Sequence, residues 1–234
     1  MKTISASSLK RYQTCPLSWK YNYVLKLMKP PNPNYRIGTM FHKGVEMLHK
    51  RGKAPKIDKV IKDIKKEMLK PANDENIDQF GLVRQMLECY AKNQVKAKTV
   101  ETEWKFSVPV PTVSVPLYGF IDRLTDKGLI EYKTSSFDYK QEDIINIQTD
   151  VYSYAYRSRF GKLPEITYCV MNKKKVKKEG YKPQILIIKR TKEDIKALEQ
   201  TLKEFYKNVE KKCFNPITGT HCCWCDFRES CDKK

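Results

Sequence analysis

The sequence predicts an α/β (α+β) protein with a central mixed β-sheet flanked by helices. Three observations lead to this class. Apolar residues recur at helical spacing through the first 98 residues, and β-branched and aromatic residues dominate the stretches that follow. One further helical stretch separates the third predicted strand from the fourth. The sheet should therefore begin as a meander and continue across a crossover helix.

The N-terminal part, residues 1–98, is predicted to be helical. Ser5 and Ser7 are both suited to cap the first helix, and a proline-rich stretch at 29–34 should end it. Four helices are expected, at Ser7–Leu27, Ile37–Lys50, Ile57–Leu69 and Asp78–Ala97.

The central part, residues 99–190, is predicted to carry the sheet. Asp126–Gly128 is typical of a tight turn, so the second and third strands should form a hairpin. The strands are expected at Val100–Val108, Pro116–Leu124, Leu129–Ser135, Ile166–Met171 and Gln184–Lys189, with a helix at Gln141–Phe160. Residues 191–234 add a helix, Lys192–Lys211, and a cysteine-rich tail from Cys213 that should cap a single domain.

The charge of the chain favours a polyanionic partner. Lys and Arg total 46 against 27 Asp and Glu, which gives a formal charge of +19 and a field that attracts nucleic acid. A generally lysine-rich composition is the alternative. The run at 173–178 is expected in a hairpin loop that is either merely solvated or contacts phosphate. Its basic residues are Lys173, Lys174, Lys175, Lys177 and Lys178.

We expect a cytoplasmic protein, bacterial or phage-encoded, without membrane contact. The sequence has no apolar run of about 18 residues, and its start becomes polar and basic too soon for a signal peptide. Its positive charge is spread along the chain and does not concentrate on one amphipathic helix. Eight cysteines in such a chain favour a metal or cluster site over disulfides.

The predicted hairpin brings two carboxylates and a lysine together. A turn at Asp126–Lys127 sets Asp122 opposite Glu131, with Cβ atoms roughly 5 Å apart. Carboxylates this close repel unless a cation lies between them. Lys133 shares the face of Glu131, because side chains two residues apart on a strand point the same way. An ordinary exposed acidic and basic face is the alternative.

This set of side chains suits the hydrolysis of a phosphodiester bond. Carboxylate oxygens bind Mg²⁺ or Mn²⁺, which polarises phosphate and lowers the pKa of a bound water. A nearby lysine can orient that water or stabilise the developing negative charge.

Four segments, in this order along the chain, resemble RecB-like nucleases of the PD-(D/E)XK superfamily. They are Ser5–Tyr21 with its Cys-Pro pair, the G-x-x-x-H-x-x-x-E pattern of Gly38–Glu46, the hairpin with G-x-x-D-R and E-Y-K-T, and the Q-x-x-x-Y pattern of Gln148–Tyr152. With the cysteine tail, the resemblance extends over nearly the whole chain. It implies a restriction-endonuclease-like core and a DNA exonuclease that acts on single strands or DNA ends.

The resemblance also implies roles for the hairpin residues. His42, Asp122, Glu131 and the backbone carbonyl of Tyr132 would hold Mg²⁺ or Mn²⁺, with Lys133 as the catalytic lysine. Without the resemblance, a single helical histidine is more often a packing or surface residue.

Two further side chains, Gln148 and Tyr152, share one helix face. The resemblance implies that they lie at the edge of the active site and contact DNA or the carboxylates. A satisfied polar pair beside the sheet is the alternative. Glu103, in the strand before the hairpin, is an additional candidate.

The tail has the pattern C-x2-C-x5-C, formed by Cys222, Cys225 and Cys231. The resemblance implies that Cys15 completes a [4Fe–4S] site, as in CRISPR-adaptation and AddB-type exonucleases. Such a site would join the two ends of the chain and restrict the unfolded state. Zinc is the alternative, because four thiolates, or three thiolates with His221, suit Zn²⁺.

The remaining cysteines are not expected to bind the cluster. Cys223 has the wrong spacing, and Cys89 and Cys169 are expected in the core, whereas Cys213 has no predicted place.

Two other functions remain compatible with the sequence. One is a nucleic-acid-binding module with an inactive site, although the intact His42, Asp122, Glu131 and Lys133 set argues against it. The other is a nuclease for CRISPR spacer processing, which would work with an integrase. The sequence lacks a Walker G-x-x-x-x-G-K-[ST] motif, so unwinding of DNA would need a helicase or recombination partner.

Overall fold

A computed structural model describes residues 1–29, 33–50, 56–68 and 77–231 of the chain. Its centre is a five-stranded sheet in the order β1-β2-β3-β4-β5. The strands are β1 (Thr99–Val110), β2 (Val113–Thr125), β3 (Gly128–Ser135), β4 (Glu165–Asn172) and β5 (Gln184–Lys189). The helices are α1 (Ala6–Thr14), α2 (Pro16–Tyr23), α3 (Pro33–Lys50), α4 (Ile57–Met68), α5 (Ile77–Lys92), α6 (Ile147–Phe160) and α7 (Lys192–Glu210). The predicted fold class, a mixed sheet flanked by helices, is confirmed.

The sheet has the predicted connectivity. Strands β1, β2 and β3 form an antiparallel meander, α6 crosses over, and β4 then pairs with β3 in parallel. Strand β5 pairs antiparallel with β4. The N-terminal segment also joins the sheet. Ile4 forms a parallel bridge with Leu117, in the part of β2 that does not pair with β3.

The first predicted helix, Ser7–Leu27, is two helices. Cys15 has extended backbone angles, and Pro16 occupies the first turn of α2. The residue before a proline is disfavoured in the helical region, and this clash ends α1. Ser5, one of the two predicted caps, accepts a hydrogen bond from the amide of Ser8. Helix α3 begins at Pro33, four residues before the predicted Ile37.

Two other predicted helices were too long. Helix α5 ends at Lys92, not at Ala97, because the Arg123 guanidinium binds the carbonyls of Val95 and Ala97 and holds this segment out of a helix. The stretch Gln141–Ile144 forms a short 3₁₀ helix. Helix α6 begins only at Ile147, because the Asn146 side chain caps the amides of its first turn.

The sheet separates two apolar cores. One contains residues of α1, α6 and α7 packed on Trp104, Ile121 and Leu129. The other contains residues of α3, α4 and α5 packed on Ile130 and Tyr132. Consecutive residues of β3 therefore face different layers.

No helix in the described part of the chain is both long and apolar enough to cross a membrane.

Candidate active site and cysteine-lined cavity

Strands β2 and β3 separate at Asp122. Their pairing runs from Thr125 and Gly128 to Arg123 and Ile130, and it stops before Asp122 and Glu131. The register is the predicted one, which would set Asp122 opposite Glu131, but the ladder ends one pair before these two acids. They remain close enough to repel each other. The Asp122 Oδ2 atom accepts a hydrogen bond of 2.7 Å from the Tyr132 amide. A carboxylate thus takes the place of a main-chain partner in the gap between the strands.

Both strands next to this gap are irregular. Ile121 and Leu124 pack in the same apolar core although they are three residues apart, so the alternation of β2 breaks between them. The register of β1 and β2 places Glu103 opposite Asp122. Glu103 has a positive φ of 51°. Burial raises the pKa of Glu103, and repulsion from Asp122 and Glu46 adds to this effect.

Helix α3 supplies His42 to the site. The His42 Nδ1 atom lies 3.1 Å from Asp122 Oδ1. Burial alone would lower the pKa of His42, but attraction to Asp122 raises it above the usual value. Burial likewise opposes ionisation of Asp122, and His42 with the Tyr132 amide holds the pKa of Asp122 below its usual value. This pair therefore favours an ionised carboxylate.

Glu131 lies at the centre of a second set of contacts. Its Oε1 atom accepts hydrogen bonds from Lys133 Nζ at 2.7 Å and from Gln148 Nε2 at 3.0 Å. Lys133 also binds Gln148 Oε1 at 2.9 Å, and Gln148 reaches the Tyr152 hydroxyl at 2.7 Å. The structure thus brings together Glu131, Lys133, Gln148 and Tyr152 in one hydrogen-bonded set.

The other carboxylate oxygen of Glu131 has no partner. Glu131 is only 3% exposed, and its Oε2 atom is buried without a hydrogen bond. Burial, together with repulsion from Asp122, raises the pKa of Glu131 to about 7. An unpaired buried oxygen beside a second carboxylate is costly in free energy, and a bound cation would remove that cost.

The described residues do not form a ready-made metal site. No group of three or more His, Cys, Asp or Glu side chains among them is close enough together to hold an ion. His42 and Asp122 bond to each other, while Glu131 bonds to Lys133 and Gln148. The types of donor and the unpaired Glu131 Oε2 nevertheless fit a hard cation such as Mg²⁺ or Mn²⁺.

A polar network behind β3 was not predicted from the sequence. Tyr132 points away from Glu131 into the α3–α5 core, where its hydroxyl lies 2.8 Å from that of Tyr90. The Tyr90 hydroxyl lies 2.5 Å from His49 Nε2. His49 is one turn of α3 beyond Val45, on a face that a helical pattern would assign to the core. The network ties α3 and α5 to the strand that carries the active-site residues.

Acidification should destabilise the fold through His49. Burial lowers the pKa of His49 from 6.5 to about 4. Its contribution to stability is complete above pH 6.5 and is lost as the pH falls toward 4, because the unfolded chain then binds a proton that the folded chain does not. We expect His49→Gln to remove on the order of 2 kcal/mol of this pH dependence. Urea unfolding of both proteins at pH 7.5 and pH 4.5 measures the difference, and parallel pH profiles would contradict it.

An open cleft of about 910 Å³ leads to the site. Its lining includes His42, Asp122 and Glu103, the residues described above. It also includes residues that the sequence did not single out, among them Tyr35, Lys43 and Phe120. Phe120 could have been found from the sequence, because it lies two residues before Asp122 on the same strand.

The lysine-rich run lies between β4 and β5, in the predicted loop. Of its five lysines, Lys173 lines the cleft. Lys175 pairs with Asp138, and Lys174 lies over the Phe137 ring at 4.9 Å. Of the five lysines, Lys173 is therefore the member that lines the cleft, and a phosphate-contacting role for the run stays a prediction.

A second cavity, of about 940 Å³, lies between the two ends of the chain. The four predicted cluster ligands, Cys15, Cys222, Cys225 and Cys231, all line it, and so does Cys223. All are free cysteines. His221 also lines the cavity, but its Nε2 atom is 2.9 Å from the carbonyl of Ile217.

Side chains hold the tail against the N-terminal helices around this cavity. Arg11 binds Asp226 at 2.7 Å and lies over the ring of Phe227, which is buried. The Tyr12 hydroxyl donates a hydrogen bond to the carbonyl of Cys213.

The other cysteines lie apart from this cavity. Cys169 is fully buried and Cys89 is partly buried beside the same apolar core, as predicted, whereas Cys213 is exposed.

The chain belongs to the PD-(D/E)XK nuclease superfamily, whose profile matches residues 3–232. The fold is similar to that of a "Putative exonuclease" from Eubacterium rectale, with a TM-score of 0.64 and 12% identity over 100% of this chain and 90% of that one. It also matches the crystal structure of SSO0001, with a TM-score of 0.47 and 16% identity over 100% of this chain and 87% of that one. No curated protein sequence matches the chain significantly.

Proposed function

We propose that the protein is a divalent-metal-dependent DNA exonuclease whose active site is the cleft at Asp122. The observation that carries the proposal is the buried, unpaired Oε2 of Glu131 beside Asp122 in a nuclease fold. Such an oxygen is expected where a cation completes the site.

The proposed ligands of Mg²⁺ or Mn²⁺ are His42, Asp122, Glu131 and the carbonyl of Tyr132. The direction of the Tyr132 amide supports the last of these. In an antiparallel ladder, the N–H and C=O of one residue serve the same neighbouring strand. Because the Tyr132 N–H points to Asp122, its carbonyl also faces the gap between β2 and β3. When bound, the cation would polarise the phosphate and acidify a water molecule.

Lys133 is proposed to act on the reacting phosphate or the attacking water. It is held by Glu131 and Gln148, and attraction to Glu131 outweighs burial and raises the pKa of Lys133, so the amine stays charged. A fixed positive charge can stabilise the negative charge that develops on phosphate. Gln148 is proposed to position Lys133 and Glu131, because it hydrogen-bonds to both of them. Tyr152 is proposed to hold Gln148 in place, because its hydroxyl accepts a hydrogen bond from the Gln148 amide.

DNA is the proposed substrate, and the formal charge of +19 supports it. Lys43 and Lys173 line the cleft where the backbone of a strand would lie. A helicase, recombination or integrase partner would supply duplex unwinding or targeting, because the sequence has no Walker motif.

The second cavity is proposed to hold a structural [4Fe–4S] cluster bound by Cys15, Cys222, Cys225 and Cys231. Four cysteines from the two ends of the chain line one cavity, which supports a shared ligand set. Zinc bound by the same four thiolates is the competing assignment.

The proposed activity is tested with end-labelled linear DNA and circular single-stranded DNA, each with Mg²⁺, with Mn²⁺ and with EDTA. We expect release of nucleotides from linear DNA that depends on the metal, while the circle stays intact. Cleavage of the circle at a comparable rate would make the enzyme an endonuclease. An absence of cleavage under all conditions would favour the alternative function, a nucleic-acid-binding module with an inactive site.

DNA binding should depend steeply on salt, and Lys173 should contribute to that dependence. Each neutralised phosphate of a single strand adds about −0.7 to the slope of log K against log salt. We expect Lys173→Gln to reduce the slope by about that amount, because Lys173 lines the cleft. Lys177→Gln, at an exposed site in the same loop, is the matched control. Equal slopes for the two variants would exclude a phosphate contact at Lys173.

A further inference from the structure

Aromatic rings lie exposed beside the candidate active site. Phe120 lines the cleft two residues before Asp122 and is 46% exposed. Tyr118, two residues further back on β2, meets the Phe120 ring edge to face at 5.5 Å. Tyr35 of α3 also lines the cleft and is 68% exposed.

The packing of the sheet forces Phe120 outward. Gly119 and Ile121 face the core, and a Cβ at Gly119 would lie 2.7 Å from the Phe106 ring. Phe120 therefore faces the opposite side of the sheet, where a polar residue is the usual choice on an exposed face. The contact between Phe120 and Tyr118 makes a joint apolar patch at the cleft, and such a patch is typical of a ligand-binding groove.

Lysines flank these rings. Lys105 of β1 pairs across the sheet with Phe120, and its Nζ atom lies 5.7 Å from the centre of the Tyr118 ring. Lys43 and Lys173 line the cleft itself. A protein partner with an apolar surface would have to bury these charges, whereas a single nucleic acid strand offers phosphates to the lysines and bases to the rings.

We infer that Phe120, with Tyr118 and Tyr35, forms a nucleobase-stacking surface that guides an unpaired DNA strand to the cleft and selects it over duplex DNA. This inference rests on the proposed nuclease function and deepens it. In a duplex the bases are already stacked on one another and cannot lie on Phe120. In an unpaired strand each base has a free face, and stacking on an aromatic side chain contributes about 1–3 kcal/mol per base.

The test measures binding by a Lys133→Ala protein, which should not cleave its ligand. The probes are a fluorescent thymidine oligonucleotide, an abasic oligonucleotide of the same length and a blunt two-stranded duplex without unpaired bases. We expect Phe120→Leu to weaken binding of the thymidine strand at least 5-fold, which corresponds to about 1 kcal/mol. Binding of the abasic strand and the duplex should not change.

Two further variants serve as controls. Phe120→Trp keeps an aromatic face and should retain the affinity for the thymidine strand. Phe160→Leu removes a ring of similar exposure, 40%, from α6 on the other face of the sheet, and it should not affect binding. Melting temperatures of all variants show that each is folded.

Three outcomes would overturn the stacking surface. If Phe120→Leu binds the thymidine strand as tightly as its parent, while wild type cleaves DNA, this inference fails and the proposed nuclease function stands. An equal loss for all three probes would assign Phe120 a role other than stacking. If the parent binds no DNA and wild type cleaves none, the stacking surface and the proposed function both fail.

Discussion

Replacing Lys133 with alanine is expected to reduce DNA cleavage at least about 100-fold, with little effect on DNA affinity. The amine is fixed by Glu131 Oε1 and Gln148 Oε1, so it is preorganised to stabilise charge in the transition state. Single-turnover cleavage of an end-labelled strand measures the rate, and fluorescence anisotropy measures the affinity.

Lys127→Ala is the matched control for this experiment. Lys127 lies in the turn of the same hairpin, binds the carbonyl of Lys96 and does not line the cleft. It should cleave at the wild-type rate. Near-wild-type turnover by Lys133→Ala would remove Lys133 from the mechanism, while a loss of folding, detected by circular dichroism, would assign it to stability.

Replacing Cys15 with alanine is expected to remove the cluster and lower the melting temperature. Protein purified without oxygen should be brown, with broad absorption near ~400 nm from iron–thiolate and iron–sulfide charge transfer. The variant should lose this absorption and its bound iron, and the loss of a link between the two chain ends should destabilise the fold. The contacts of Arg11 with Asp226 and Phe227 do not depend on the cluster, so we expect destabilisation without complete release of the tail.

Cys223→Ala is the control for the cluster, because Cys223 lines the same cavity but lies outside the C-x2-C-x5-C pattern. It should stay brown and keep its melting temperature. A colourless wild-type protein that holds one zinc ion and no iron would contradict the cluster assignment. It would leave the nuclease assignment intact, because that assignment depends on Asp122 and Glu131.

Local periodicity was sufficient to predict the contacts around Glu131. Strand alternation places Lys133 on the face of Glu131, and helical spacing places Gln148 and Tyr152 together, since these relations depend only on residues a few positions apart. The meander and the crossover helix followed from the order of strand-like and helix-like stretches.

Features that depend on distant side chains were missed. The separation of β2 and β3 requires the Asp122 carboxylate to replace a main-chain partner of Tyr132, and no local pattern reveals it. The early end of α5 depends on the Arg123 side chain, 31 residues after Lys92 in the sequence. The break between α1 and α2, in contrast, could have been predicted from the sequence. Cys15 precedes Pro16, and the residue before a proline is disfavoured in the helical conformation.

Binding of Mn²⁺ to the purified protein tests most directly whether the cleft at Asp122 is a metal-dependent active site. Free Mn²⁺ is measured by electron paramagnetic resonance as the ion is titrated into wild type, Asp122→Asn and Lys133→Ala. We predict saturable binding that wild type and Lys133→Ala share and that Asp122→Asn loses, because Asp122 is a proposed ligand and Lys133 is not. Binding by Asp122→Asn equal to that of wild type, or no binding by wild type, would contradict the account.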